Sequence, residues 1–483
     1  MKKLLSGLMA GAVVLSSASS LVSCTNIKAI SEIYLVTDAG KISDKSFNES
    51  TYKAGTEFLQ QVVGQIPGYE EYQSKKIARI EPENSSTKVL KNQYMNAKNN
   101  GAKTILLPGF HHSMPGEGEN LAPIVMGEQG STIMLDGASS AKNEIGFSFR
   151  GDISGFYAGM GAIIWQLQQG DKYDKISLGS FGGISNPAAV DNFIVGYLAA
   201  IEVFNEFKAD DSNWIVLKDK FGFDDSVRKK TVEMTQKQYP TSNSDPSWFS
   251  NSFAQGDGQV VAGTLIQNGS TVIMPVAGPQ TLDAVGLSKQ IEGGNKVKIV
   301  GVDTNQAEAF PQNEGMFITS AEKDLRGAVI AGLAHTQYWI DRVTGEGENS
   351  LGSKTEELLG TDFQVTIKDK DGKFVGVDVG GNKAWDRDLT LDQNQVKEED
   401  GQGNTLWVAG NMSSGGRNQL EKTYADNIKE IFNVDVLTKA SIDLFDKIDS
   451  IQKGQTMIND SFVSEYAKII LKEIKQGGNS NNG

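Results

Sequence analysis

The 483 residues include one cysteine, three histidines and eleven prolines, and the shortages close off whole architectures. A single cysteine makes no intrachain disulfide, and so few histidines leave little material for a zinc centre. There is no strongly basic block: 46 basic residues stand against 60 acidic ones, for a net charge of −14, which argues against electrostatic capture of nucleic acid. The phosphate loop G-x-x-x-x-G-K-[ST], the G-x-S-x-G elbow and the H-E-x-x-H helix are also missing, which moves weight from catalysis to binding. What remains is an acidic chain with 53 glycines, 39% hydrophobic and 22% charged residues. That is an ordinary globular composition, long enough for two or three domains.

The lone cysteine ends a recognisable segment. Lys2 and Lys3 open it, an apolar and small-residue run follows from Leu4 to Leu21, and Leu21-Val22-Ser23-Cys24 closes it. A basic start, a short apolar middle and small residues before a cut describe a secretory signal over residues 1–23. The last four residues resemble the lipobox of bacterial lipoproteins, although Val22 is a less usual second residue. The resemblance implies that Cys24 is diacylated and that residues 24–31 are a tether. Two acyl chains hold a protein stably where one does so marginally. The expected location is therefore the outer side of the cell membrane, with 44 basic and 60 acidic residues left, or −16. No other apolar stretch is expected to reach transmembrane length.

From Glu32 short apolar runs alternate with stretches of helical period. Strands are expected at Ile33 to Val36, Thr104 to Leu107, Thr132 to Leu135, Ile176 to Leu178, Trp214 to Leu217, Thr271 to Pro275 and Lys298 to Val302. Helices are expected at Ser50 to Val63, Gly155 to Gln168, Ala188 to Phe207 and Gly278 to Gln290. The alternation predicts an α/β protein with parallel sheets. Seven strand–helix units in about 300 residues exceed one comfortable sheet, so two Rossmann-like lobes are expected. The first takes residues 32–150 and 305–340, the second 151–304, with crossings near 150–155 and 305–325. Residues 341–483 form a C-terminal extension: an Asp-Gly hairpin around Asp371-Gly372, an acidic loop at 390–405, helical periodicity from Gln419 to Gln476 and a disordered tail at 477–483. Asp369 and Asp371 lack the further acids of a calcium loop.

Function concentrates at Thr37-Asp38 through Asn48. A strand ends at Thr37-Asp38, a glycine turn follows, and Asp44 to Asn48 lead into a helix. Ligands of open α/β sheets bind beyond the carboxyl ends of strands, where Asp38 and Phe47 would offer a carboxylate and an aromatic face to a flat, hydrogen-bonding ligand. Alternatively Asp38 caps a turn and Phe47 is core. His111 and His112 follow a strand end and are expected in a loop or at a pocket rim.

The run Val36-Thr37-Asp38-Ala39-Gly40 through Asp44-Lys45-Ser46-Phe47-Asn48 closely resembles the opening signature of the basic membrane protein family, lipoprotein receptors of purine nucleoside uptake systems. Leu107 to Phe110, Leu135-Asp136-Gly137, Gly151 to Gly161, Gly179 to Pro187 and Gly301 to Gln306 resemble later family segments in the same order. The likeness runs over about residues 32–340. It implies a type I periplasmic-binding-protein-like fold with the ligand in the cleft between lobes, the base held between two phenylalanines. The first matches Phe47; the second matches Phe223, with Phe221 as competitor. A stacked ring contributes about 1–3 kcal/mol per base. The resemblance also implies polar contacts from Asp38 and Asn48, a ribose diol held by Asp303 with Lys323 beside it, and lining from Phe110 and Gly278. Pro279 stands where the family usually has a glycine.

The expected function is a lipid-anchored, monomeric, non-enzymatic receptor without cofactor, which delivers guanosine, adenosine or inosine to an ABC permease and binds no nucleic acid. Two alternatives stay open: a sugar-binding lipoprotein of the same fold, and a surface adhesin or antigen acting through residues 341–483.

Overall fold

The computed structural model describes residues 31–38, 40–113, 120–291, 297–360, 363, 365–368, 374–377, 405–445 and 456–479. The signal segment, Cys24, nearly all of the tether, the turn at 369–373 and the acidic stretch up to 404 lie outside these residues.

The first lobe is built from β1 (Ile33–Val36), α1 (Phe47–Glu57), β2 (Ala78–Ile80), α2 (Thr87–Asn99), β3 (Thr104–Pro108), β4 (Ser131–Leu135) and β5 (Glu144–Phe149). These strands pair in parallel in the order β2-β1-β3-β4-β5. The second lobe follows with α3 (Gly151–Gln168), β6 (Lys175–Gly182), α4 (Asn192–Ala209), α5 (Asp211–Phe221), β7 (Thr231–Met234), α6 (Gln259–Gln267), β8 (Val272–Val276), α7 (Thr281–Lys289), β9 (Lys298–Asp303) and β10 (Phe317–Glu322). It repeats the order as β7-β6-β8-β9-β10. Two parallel sheets of one topology, joined by crossings, make a two-lobed, type I periplasmic-binding-protein-like fold.

Several sequence expectations need correction. Trp214 to Leu217 is helical, within α5. Asp210 accepts from Asn213 N at 3.0 Å at its start, and Gly222, at φ +67°, ends it. Trp214, Leu217 and Phe221 bury one helical face while Ile215 stays 58% exposed; a four-residue apolar run cannot distinguish that stripe from a strand. Residues 305–322 belong to the second lobe, not the first, because β10 pairs along β9. The return crossing is therefore at Lys323 and Asp324, after which α8 (Leu325–Ala334) packs against α1. The segment Pro187–Ala209 does reach membrane-spanning length and hydropathy, but 83% of its most apolar window is buried in the protein.

The extension is woven into both lobes. Helix α9 (Leu351–Leu359) packs on the first lobe, where β11 (Val365–Lys368) and β12 (Phe374–Val377) form an antiparallel pair. Strand β13 (Thr405–Val408) then joins β5 in parallel, and β14 (Asn411–Met412) joins β10 in the other sheet, which creates a third crossing at 409–410. Finally α10 (Lys422–Ile431), α11 (Val434–Phe445) and α12 (Asp460–Asn479) cover α3 and α4. The expected disorder from 477 is corrected as far as Asn479: the helix started by buried Val463, Tyr466 and Ile470 carries through it.

The three crossings lie side by side. Arg150 N donates to Val408 O at 2.9 Å. Ser154 Oγ donates to Glu322 O at 2.7 Å and accepts from Asn411 N at 3.2 Å. One serine thus ties all three segments at the hinge.

Candidate ligand-binding site

Three strand ends bring three aspartates to the junction of the lobes: Asp38 after β1, Asp136 after β4 and Asp303 at the end of β9. Asp136 and Asp303 sit at φ +63° and +65°. For residues with a Cβ that costs about 1 kcal/mol or more, strain that persists where the surroundings over-determine it.

The loop after β1 is folded by Asp44, whose carboxylate accepts from Ser46 N (2.9 Å), Asn48 N (2.9 Å), Glu49 N (3.1 Å) and Asn48 Nδ2 (2.8 Å). These bonds satisfy the free N–H groups of the helix start and seat Phe47 as the first residue of α1, with its ring edge-on to Phe149 at 6.5 Å. Asn48 Oδ1 is buried without a protein hydrogen-bond partner. Asn48 therefore presents an acceptor.

Lys323, 3% exposed at its side chain, occupies the centre. Its ammonium lies 2.6 Å from Asp136 Oδ2, 3.3 Å from Asp303 Oδ1 and 3.2 Å from the Ala189 carbonyl, with the Phe47 and Phe193 ring centres each 5.0 Å away. Burial alone would depress its pKa, but the facing carboxylates of Asp136 and Asp303 outweigh that and raise it. Burial pushes the Asp136 carboxyl up to about 7 against the pull of Lys323. Asp136 Oδ1 is buried and without a hydrogen-bond partner.

Across the gap, Ser46 Oγ of the first lobe donates to Asp303 Oδ2 of the second at 3.0 Å. A Cβ on Gly278 would lie 2.5 Å from that Ser46 Oγ, so glycine permits the lobes to meet there. Asp38 Oδ2 contacts His111 Nδ1 at 2.9 Å, and His111 stacks on Phe110 at 4.5 Å. His112 is core, 2.6 Å from the Tyr94 hydroxyl, and burial pushes its pKa down to about 4.

Asp38, Phe47, Asn48, Phe110, Gly278, Asp303 and Lys323 thus line one pocket of ≈ 100 Å³ between the lobes. Phe223 does not. It is core, parallel to Trp214 at 6.3 Å and 5.7 Å from Phe221, because the α5 segment is a helix packed into the second lobe and ends away from the cleft. The aromatic ring lining the pocket from the second lobe is Phe253, edge-on to Phe110 at 5.9 Å. Sequence reasoning missed Phe253, Asp136 and Ser46 as site residues. Asp136 had a signal: apolar strand, aspartate, as at Val36 to Asp38 and Val302-Asp303. Phe253 follows an irregular insertion and had none.

Repeated sheet order, a hinge of three crossings and an inter-lobe pocket define a two-lobed protein of the periplasmic-binding type. No family model matches the chain, and neither does any curated protein. Solved structures with a similar fold include an ABC transporter solute-binding protein from Aeropyrum pernix K1 (18% identity, TM-score 0.46, covering 63% of this chain and 70% of that one). Another comes from Clostridium phytofermentans with bound β-D-glucose (13%, TM-score 0.41, 65% and 85%). A third is a transcriptional activator of the comK gene from Bacillus halodurans (10%, TM-score 0.40, 64% and 83%).

Proposed function

We propose that the chain is a lipid-anchored substrate-binding protein of the basic membrane protein type, which closes its lobes on a purine nucleoside and hands it to an ABC permease. The observation that carries this reading is the Asp136–Lys323–Asp303 cluster in one inter-lobe pocket with Phe47 and Phe253. Carboxylates paired with an ammonium suit a ribose diol, and the rings suit a base. Buried, unpartnered acceptors at Asn48 Oδ1 and Asp136 Oδ1 call for donors, which a purine edge and sugar hydroxyls supply. The pocket volume of ≈ 100 Å³ is below the ~300–1,000 Å³ of small-molecule sites, so the lobes part about the three crossings to admit the ligand.

Calorimetry of the chain lacking residues 1–24 with guanosine, adenosine, inosine, D-ribose and D-glucose tests it. At least one nucleoside is expected to bind, and Phe47→Ala and Asp303→Ala to weaken it by about 2 kcal/mol or more. Binding of a free sugar in preference to every nucleoside would replace this reading with the sugar-receptor one.

A further inference from the structure

A serine at the start of a helix ordinarily turns its hydroxyl back to accept from the second or third N–H of that helix. Ser46 holds the N-cap position of α1, yet its side chain makes no cap bond. Asp44 does that work instead: its carboxylate accepts from Asn48 N at 2.9 Å and Glu49 N at 3.1 Å. The buried Ser46 hydroxyl is thereby released to donate across the cleft to Asp303 Oδ2 at 3.0 Å. Gly278 leaves room for it, since a Cβ there would lie 2.5 Å from the hydroxyl oxygen and 2.9 Å from the serine Cβ.

Asp303 is held from three directions. Its main chain, at φ +65°, is pinned by Lys323 N, which donates to the Asp303 carbonyl at 3.0 Å. The Lys323 ammonium lies 3.3 Å from Asp303 Oδ1 but 2.6 Å from Asp136 Oδ2, so its tighter grip is on Asp136. Among the described residues, Ser46 is what fixes the other Asp303 oxygen, and it does so from the opposite lobe. A carboxylate oxygen accepts two bonds. With Lys323 on one oxygen and Ser46 on the other, each keeps a lone pair for a further donor. Two adjacent lone pairs, one per oxygen, match two adjacent hydroxyls, whereas a lone hydroxyl meets only one of them.

We infer that Ser46 is a positioning residue for diol recognition: its hydroxyl, reaching over from the first lobe, sets the angle at which Asp303 of the second receives the 2′ and 3′ hydroxyls of the sugar. This deepens the reading proposed above and rests on it, with the ribose against Asp303 and Lys323. Because donor and acceptor sit on different lobes, the clamp is complete only when the lobes are closed, which ties recognition of the sugar to closure.

Calorimetry on the chain lacking residues 1–24, which keeps every described residue, compares guanosine, inosine and adenosine each with its 2′,3′-dideoxy analogue. The quantity read is the ratio of the two affinities for each base that binds. The original chain is expected to prefer the ribonucleoside by about a hundredfold, as two charge-assisted hydrogen bonds would give. Ser46→Ala is expected to cut that preference about tenfold, and Ser46→Thr, which keeps a hydroxyl, to retain it within about threefold. Asp44 caps α1 in both variants, and circular dichroism checks their fold. An unchanged ratio in Ser46→Ala, with ribonucleoside and dideoxynucleoside weakened alike, would make the contact one of lobe closure alone and overturn the inference. So would a ratio in Ser46→Thr as low as that of Ser46→Ala, or an original chain that binds both analogues equally. Failure of every nucleoside overturns the function proposed above and this inference with it.

Discussion

The two lobes share a sheet order but close their buried carboxylates differently. In the first lobe Glu144 is held within its neighbourhood: Asn120 Nδ2 at 2.8 Å, Ser140 N at 2.9 Å and Thr132 Oγ1 at 3.3 Å, all within 24 residues of it in sequence. In the second lobe Asp152 accepts from Tyr466 at 2.6 Å, Arg150 donates to Ser441 at 3.0 Å and Asp191 accepts from Thr456 at 3.2 Å, across separations of 265 to 314 residues. The helices follow suit. Of the 18 residues in α3, 17 are buried, whereas α1 buries four of its 11. A helix apolar all round must be covered all round, and here the cover is α10 to α12. Glu144 of the first lobe is closed without the C-terminal segment; Asp152 and Asp191 of the second are closed by it.

The largest effect should therefore come from ending the chain at Phe445. That removes the buried face of Val463, Tyr466 and Ile470, at about 1.5–3 kcal/mol for each large apolar side chain, together with the hydroxyl donors Tyr466 to Asp152 and Thr456 to Asp191. Hydrogen exchange should show α3 and α4 losing protection while β1, β3 and β4 keep theirs. Unchanged protection in α3 would refute the asymmetry. Any activity assigned to the extension by deleting it, as the adhesin alternative would require, would be confounded by this loss.

Protonation sharpens the same contrast by a smaller amount. Burial pushes Asp191 up to about 6, against donors from Ser185, Thr456 and the Asn186 backbone. An unfolded aspartate titrates near 3.9, so between roughly pH 4 and 6 the folded chain holds the extra proton. Stability contributed by this group is present at the acid end and is lost as pH rises through 6. Asp191→Asn should flatten that part of the urea-midpoint profile between pH 4.5 and 7.5. A variant profile as steep as that of the original chain would show that the charge is relieved elsewhere.

The sequence was most legible where local rules act alone. Six of the seven expected strands lie where parallel strands form, because each is built on a short run of buried, mostly apolar residues. Strand β7, with Thr231 exposed and only Val232 buried, had no such run, and β2 spans three residues. The α5 segment misled because its exposed Ile215 and Val216 filled in the helical stripe. At the site, Asp38, Phe47, Asn48, Asp303 and Lys323 could be named from one motif and its followers, and they do converge. Phe223 could not be placed, because a ring beside a turn points to core or to cleft according to the element before it. The remote closure of Asp152 by Tyr466 was invisible: nothing in either neighbourhood encodes a partner 314 residues away.

The smallest expected effect tests whether surface contacts share in this dependence. Lys220 at the end of α5 holds Glu430 of α10 through Nζ–O contacts of 2.6 Å, but the Glu430 side chain is 63% exposed. An exposed pair offsets most of its Coulomb gain with side-chain ordering and solvent screening, so Glu430→Gln should cost no more than about 0.5 kcal/mol. The cost should shrink further in 0.5 M salt, beyond the range at which such charges interact freely. A loss comparable to that from removing α12 would mean that the extension is held by charge at its rim. The burial pattern instead places its hold in the apolar and hydrogen-bonded seam beneath, where Tyr157 donates to Phe432 O at 2.8 Å and Tyr466 reaches Asp152.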